Sequence, residues 1–147
     1  MTCIIGSSRF ICADRRITED GGALTNMVKV AKNPWLIAAA SGLGTATLKV
    51  KQAVRAGVQR PEDLLTELDR ESYALVLTWD GWLFCLSEGA LWPTKGPVYA
   101  IGSGAEQAVA FMHGAGSFGA RGAREAQRFV AKRRTDCGGG CDVRSFE

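Results

Sequence analysis

The stretch Met1–Thr18, MTCIIGSSRFICADRRIT, holds two runs rich in β-branched and apolar residues, TCIIGS (2–7) and RFICA (9–13), on either side of a small-residue turn. Such runs read as a hairpin. Thr2 has two readings at this point. It can be the first residue of a strand, a place β-branched residues favour, or it can become the first residue of the mature chain once Met1 is removed. Its α-amine would then lie beside its own hydroxyl and act as a base. Asp14, at the end of the second run, is either a turn residue or the carboxylate partner of a buried cation.

Working outward, ITEDGGALTN (17–26) is dense in turn formers and reads as a loop with Gly21-Gly22 at its tip. MVKVAKNPWLIAAAS (27–41) reads as two strands, about 27–31 and 35–40, joined at Asn33-Pro34. Lys29 lies between two valines. It either faces solvent from an alternating strand or is buried and needs a carboxylate, for which Asp14 is a candidate. Residues 44–58 place Leu48, Val54 and Val58 near helical spacing, with Thr45 as the expected cap. A second helix is expected over 61–72, where Pro61 suits the first turn and Glu62 and Asp63 sit at the positive end of the dipole. YALVLTWDGWLFCLSEG (73–89) alternates around Asp80-Gly81, a strong hairpin signal. A strand at 98–101, helices at about 105–113 and 121–134, and a closing strand in CDVRSF (141–146) complete the order. Runs of strands alternating with pairs of helices predict an α+β fold with antiparallel sheets packed between helical layers, a single four-layer domain over 1–147.

Composition narrows the function classes. The net charge is +3, with charged residues at 22% and apolar residues at 46%. The basic residues are spread along the chain apart from Lys132-Arg133-Arg134, which closes a predicted helix and complements its dipole, so no nucleic-acid partner is expected. No apolar run is long enough to span a bilayer and the N-terminus is unlike a signal peptide, so the expectation is a soluble, cytoplasmic protein without membrane contact. Five cysteines, Cys3, Cys12, Cys85, Cys137 and Cys141, are an odd number at irregular spacing and read as reduced, mostly buried thiols. Cys137, Cys141 and a distant His113 do not make a ligand set, so neither metal nor cofactor is expected.

Ala13-Asp14-Arg15-Arg16-Ile17-Thr18 resembles the ADxRxT motif of proteasome β-type N-terminal-nucleophile (Ntn) hydrolases, and Lys29 follows at about the family's distance. Ala40-Ser41-Gly42-Leu43-Gly44-Thr45-Ala46 resembles the family's SG turn before its first helix, and Tyr99-Ala100-Ile101-Gly102-Ser103-Gly104 its AIGSG motif. Arg134-Thr135-Asp136 with the glycines at 138–140 is similar to the late RD-xx-SGG segment. The pieces span nearly the whole chain in the family's order.

The resemblance implies a proteasome-like or HslV-like threonine peptidase in an αββα Ntn fold. Thr2 would attack the scissile carbonyl, Lys29 would ease its deprotonation, and Asp14 would keep Lys29 charged. Ser103 and Asp136 would support the terminal amine and the proton relay, and the Gly42 N–H would form the oxyanion hole. Thr18 and Gly44 would hold an extended peptide by strand addition. The small Ala40 implies a roomy apolar pocket for a bulky side chain. The family also implies a homo-oligomeric ring, stacked or single, fed with peptide or unfolded protein, and it allows an ATP-driven unfoldase as a further partner.

Three departures accompany the match. The first hairpin is short, maturation would rest on removal of Met1 alone, and Gly139 stands where the family carries a small hydroxyl residue. These leave two alternatives open: a non-catalytic ring or scaffold protein of the same fold that retains Met1, and a different amide hydrolase, either with a small-molecule substrate or with Cys3 as nucleophile, which would need two residues removed.

Overall fold

The computed structural model describes residues 2–18, 24–42 and 44–146. Its first two strands, β1 (Cys3–Gly6) and β2 (Phe10–Asp14), form the expected hairpin, with Ile4 opposite Ala13 and Gly6 opposite Ile11. Then come β3 (Arg16–Thr18), β4 (Leu24–Asn26), β5 (Ala31–Lys32), β6 (Leu36–Ser41), α1 (Gly44–Arg55) and a 3₁₀ helix (Pro61–Glu67). The rest of the chain forms β7 (Tyr73–Thr78), β8 (Leu83–Ser87), β9 (Ala90–Pro93), β10 (Tyr99–Gly102), α2 (Ala105–Ala115), α3 (Ala120–Ala131) and β11 (Cys141–Ser145).

The strands build two antiparallel sheets, ordered β10-β1-β2-β11 and β5-β6-β7-β8-β9, and a small β3-β4 ribbon. Alternation along each strand sorts the apolar residues to two faces. In β1 and β2, Cys3, Ile5, Phe10 and Cys12 face α2 and α3, whereas Ile4, Ile11 and Ala13 face the other sheet. In β6, Ile37 and Ala39 meet them from across the sandwich, and Leu36, Ala38 and Ala40 turn outward under Val50 and Val54 of α1 and Leu64 of the 3₁₀ helix. Three buried clusters thus fill the three interfaces of a four-layer αββα sandwich. Because β6 is covered on both faces, its sequence is a near-continuous apolar run, LIAAAS, rather than an alternating one.

Several expected elements differ. The region read as a loop, 17–26, contributes β3 and β4, and its Gly21-Gly22 tip lies outside the described residues. The strand expected over 27–31 shrinks to β5: Lys29 bridges to Asp14 on the opposite sheet, which carries residues 27–30 out of the ladder with β6. Helix α1 stops at Arg55 instead of 58 and holds Thr45 inside its first turn rather than at the cap. The helix expected over 61–72 is a 3₁₀ helix ending at Glu67, of which only Pro61 and Leu64 are buried; so short an apolar stripe does not sustain an α-helix. Helix α3 ends before the basic cluster, whose Lys132 forms its C-cap, and β9 adds a strand beyond those the sequence pattern predicts.

Candidate active site

The β1-β2 register sets the first contact of the site. With Ile4 opposite Ala13, Cys3 lies beside Asp14, and the Cys3 N–H donates to Asp14 Oδ1 at 3.0 Å. Thr2, one residue before β1, donates its hydroxyl to the same oxygen at 2.5 Å. Lys29 arrives from the other sheet. Its Nζ donates to Asp14 Oδ1 at 2.7 Å and to Thr2 Oγ1. The second carboxylate oxygen accepts the Gly138 N–H at 3.0 Å. Asp14 therefore holds four donors from three parts of the chain, and it is fully buried.

Thr2 and Lys29 are each 2% exposed, so the sandwich buries an ammonium and a carboxylate side by side. Burial pushes the Lys29 ammonium below its ordinary value, and the charge of Asp14 and its hydrogen bond pull the other way. The result is a cation pressed against the Thr2 hydroxyl oxygen, where it favours any negative charge developing there.

Ser103 and Asp136 stand one step further back. The Ser103 hydroxyl lies 3.4 Å from the Thr2 carbonyl oxygen, which accepts from it, and 3.5 Å from Cys137 Sγ. Asp136 is held by Arg134 through bonds of 3.0 and 3.2 Å. Burial pushes its carboxyl up, but hydrogen bonds from Arg134 and Ser103 outweigh this and hold it below the usual carboxylate value. Asp136 thus reaches the site through Ser103. Gly102, the last residue of β10, allows a close backbone approach: at φ 96°, a Cβ there would fall 2.1 Å from the Thr2 carbonyl oxygen.

A cleft of about 940 Å³ opens beside Thr2 and Lys29. Thr18, Ala40, Gly42 and Gly44 all line it, together with apolar Met27 and Leu48. Gly42 has φ 122°, and a Cβ on it would meet the Glu71 carbonyl oxygen at 2.7 Å, so the turn after β6 is packed against the residues that lead into β7. The Gly42 N–H donates to no described residue.

Several contributors carry weaker sequence signals. Gly138 was legible only as part of a glycine run, and Gln127 donates to the carbonyls of Cys3 and Cys12 at 2.8 and 3.4 Å, a polar residue on the inner face of an amphipathic helix. Asn26 fills the space beside Gly139: a Cβ at 139 would fall 2.2 Å from its Oδ1. All five cysteines are free; Cys141 is half-buried and the other four are buried. No group of three or more candidate metal ligands occurs among the described residues. No helix among them is long and apolar enough to cross a membrane.

Comparison with solved structures places this arrangement. BPH from Thiobacillus denitrificans, in its complex with epoxomicin, superposes with a TM-score of 0.72 at 16% identity, over 99% of this chain and 98% of that one. Eukaryotic HslV from Trypanosoma brucei gives 0.70 at 17% identity, with 97% of each chain covered. Anbu from Hyphomicrobium sp. strain MC1 gives 0.79 at 14% identity, over 99% of this chain and 82% of that one. The chain has the proteasome-type Ntn-hydrolase fold. In this Ntn fold the Thr2–Asp14–Lys29 cluster and the cleft occupy the end of the sandwich where β1 begins and β6 finishes. No protein-family model and no curated protein matches the sequence.

Proposed function

We propose that this chain is a threonine-type endopeptidase, a single Ntn-hydrolase domain over 1–147 with Thr2 as nucleophile after removal of Met1. The observation that carries the reading is the Lys29 ammonium, buried and touching both Thr2 Oγ1 and Asp14 Oδ1. A buried ion pair is seldom a stabilising choice over well-packed apolar residues, so its presence beside a hydroxyl favours a chemical role.

In the proposed cycle the free α-amine of Thr2 takes the hydroxyl proton as Oγ1 attacks the substrate carbonyl carbon. Lys29 stabilises the incipient alkoxide, and Asp14 keeps Lys29 protonated against the pull of burial. The tetrahedral oxyanion accepts the Gly42 N–H. Collapse breaks the C–N bond, the α-ammonium returns its proton to the leaving amine, and water hydrolyses the threonyl ester. Ser103 and Asp136 orient the terminal amine. An extended peptide lies between Thr18 and Gly44 by strand addition, and the small Ala40 leaves room for a bulky side chain. A homo-oligomeric ring would confine the chemistry, with peptide or unfolded protein as substrate and an ATP-driven unfoldase as a candidate feeder.

A second reading, a non-catalytic ring component, draws on Gly139. The carboxamide of Asn26 takes the space that a hydroxyl side chain there would need.

One experiment separates the two. The N-terminal residue of the purified protein is determined by mass spectrometry and fluorogenic peptides are assayed, with Thr2→Ala as control. Turnover by the Thr2-initiated form, absent in Thr2→Ala, is the expected result; a Thr2-initiated protein without turnover would establish the non-catalytic reading.

A further inference from the structure

Away from the cleft, both sheets end on the same flank, one at β5 and the other at β11. Between these two edges lies a groove of about 490 Å³. Val28, Val30 and Pro34 form its apolar wall, and Lys32, Arg55 and Arg144 surround it with three cations. Among the described residues no carboxylate lines it.

Among the described residues none of these cations makes an ion pair; Asp142, the carboxylate whose charge reaches Arg144, is bonded to Arg15. Lys32 Nζ donates to the carbonyl oxygen of Ser145 at 2.5 Å and lies 5.2 Å from the centre of the Phe146 ring. Arg144 donates to the carbonyl of its own neighbour, Val143, at 3.0 Å. Arg55 makes no side-chain hydrogen bond or ion pair with any described residue. Its place in the last turn of α1 suits the helix dipole, but that reason does not extend to Lys32 or Arg144.

Lys51 adds to the imbalance. It is buried one turn before Arg55, an i,i+4 pair of like charges that opposes helix formation. The carboxylate whose charge reaches it, Asp142, is already engaged by Arg15 through bonds of 2.9 and 2.6 Å. A local conflict of this kind, offset only in part by the shared Asp142, marks a place where further negative charge comes from outside.

We infer that this flank groove docks an acidic, extended polypeptide segment, which adds as a strand along the open edge of β5 and sets its carboxylates against Lys32, Arg55 and Arg144. The edge geometry favours a peptide over a bare anion. Residues 27–30 take part in neither ladder, and β5 has a sheet neighbour on one side only. An added strand would turn one face to α1, where Arg55 stands, and the other to β11, which carries Arg144 and which the Lys32 side chain reaches, with the valines between them. This site is separate from the proposed chemistry at Thr2.

The test uses the Thr2→Ala protein, so that cleavage cannot obscure binding. Fluorescence anisotropy is measured with a labelled hexapeptide repeating glutamate-glutamate-valine, a lysine-lysine-valine peptide as control, and inorganic phosphate as competitor. Expected is saturable binding of the acidic peptide alone, weakened by about tenfold in Arg55→Glu/Arg144→Glu and in the milder Arg55→Gln/Arg144→Gln, and weakened by salt. Amide resonances of Val28, Val30 and Ala31 should shift on titration. Equal binding by the charge-reversed protein overturns the proposal, as does displacement by millimolar phosphate with no gain from the peptide backbone. Self-association that is lost in the same variants and excludes the peptide would also overturn it, since a second copy would then be the occupant.

Discussion

At the level of single residues, the site is a contest over Asp14. Replacing it by alanine leaves the Lys29 ammonium buried with only the Thr2 hydroxyl oxygen as acceptor and orphans the N–H groups of Cys3 and Gly138. Replacing Lys29 by methionine leaves a carboxylate that still accepts from three donors. Asp14→Ala should therefore cost about 3–5 kcal/mol and Lys29→Met clearly less, read from denaturant midpoints with m-values compared. The cysteines make a second residue-scale prediction. A hydrogen bond from Cys12, with help from the Arg124 charge, lowers the Cys141 thiol to about 6, whereas burial raises Cys85 to about 11 and also pushes Cys3 and Cys137 up. At pH 7, Cys141 should react first with iodoacetamide, with a rate midpoint near 6 by peptide mass spectrometry. The sequence showed five thiols of similar standing; their separation depends on a neighbour in the next strand and on a guanidinium from α3.

At the level of elements, β11 is tied to the β1-β2 hairpin by its ladder with β2 and by the Arg15–Asp142 pair. The hydrogen bond and charge of Arg15 hold the Asp142 carboxyl below its ordinary 3.8. A carboxylate whose folded value is depressed contributes stability that is present above the unfolded value and is lost as pH falls through the folded one. The wild-type protein should thus lose stability below about pH 4 more steeply than Asp142→Asn, in denaturant titrations at successive pH values. With Arg15 43% exposed, solvent screening limits the difference to about 1 kcal/mol. Elements also show where local signals sufficed. The hairpins at 3–14 and 73–87 were legible because alternation and the Asp80-Gly81 turn are local properties. Residues 27–30 were not, because their departure from the ladder depends on an ion pair to the other sheet.

At the level of the whole molecule, the four layers grade the exposure of the backbone. Strands β1, β2, β6 and β7 are interior to their sheets and covered on both faces, whereas β5, β9 and the β3-β4 ribbon are edges or lie apart. Native-state hydrogen exchange should find the slowest amides in β1, β2, β6 and β7 and much faster exchange in β3, β4 and β9. The proposed flank site draws on the same gradation, since only an edge strand can accept another.

What the sequence by itself determined is the order and type of most elements, the apolar faces that stack into three cores, and a set of candidates at Thr2, Asp14, Lys29 and Ser103. Alternation, turn residues and spacing act over a few positions and are written in the chain. Only the tertiary structure decided that Lys29 turns inward. Burying an ammonium depends on a carboxylate supplied by the opposite sheet, fifteen residues away in sequence and 2.7 Å away in space. The same holds for the cationic groove, where Lys32, Arg55 and Arg144 are unremarkable one by one and meet because two sheet edges and the end of a helix close on one flank.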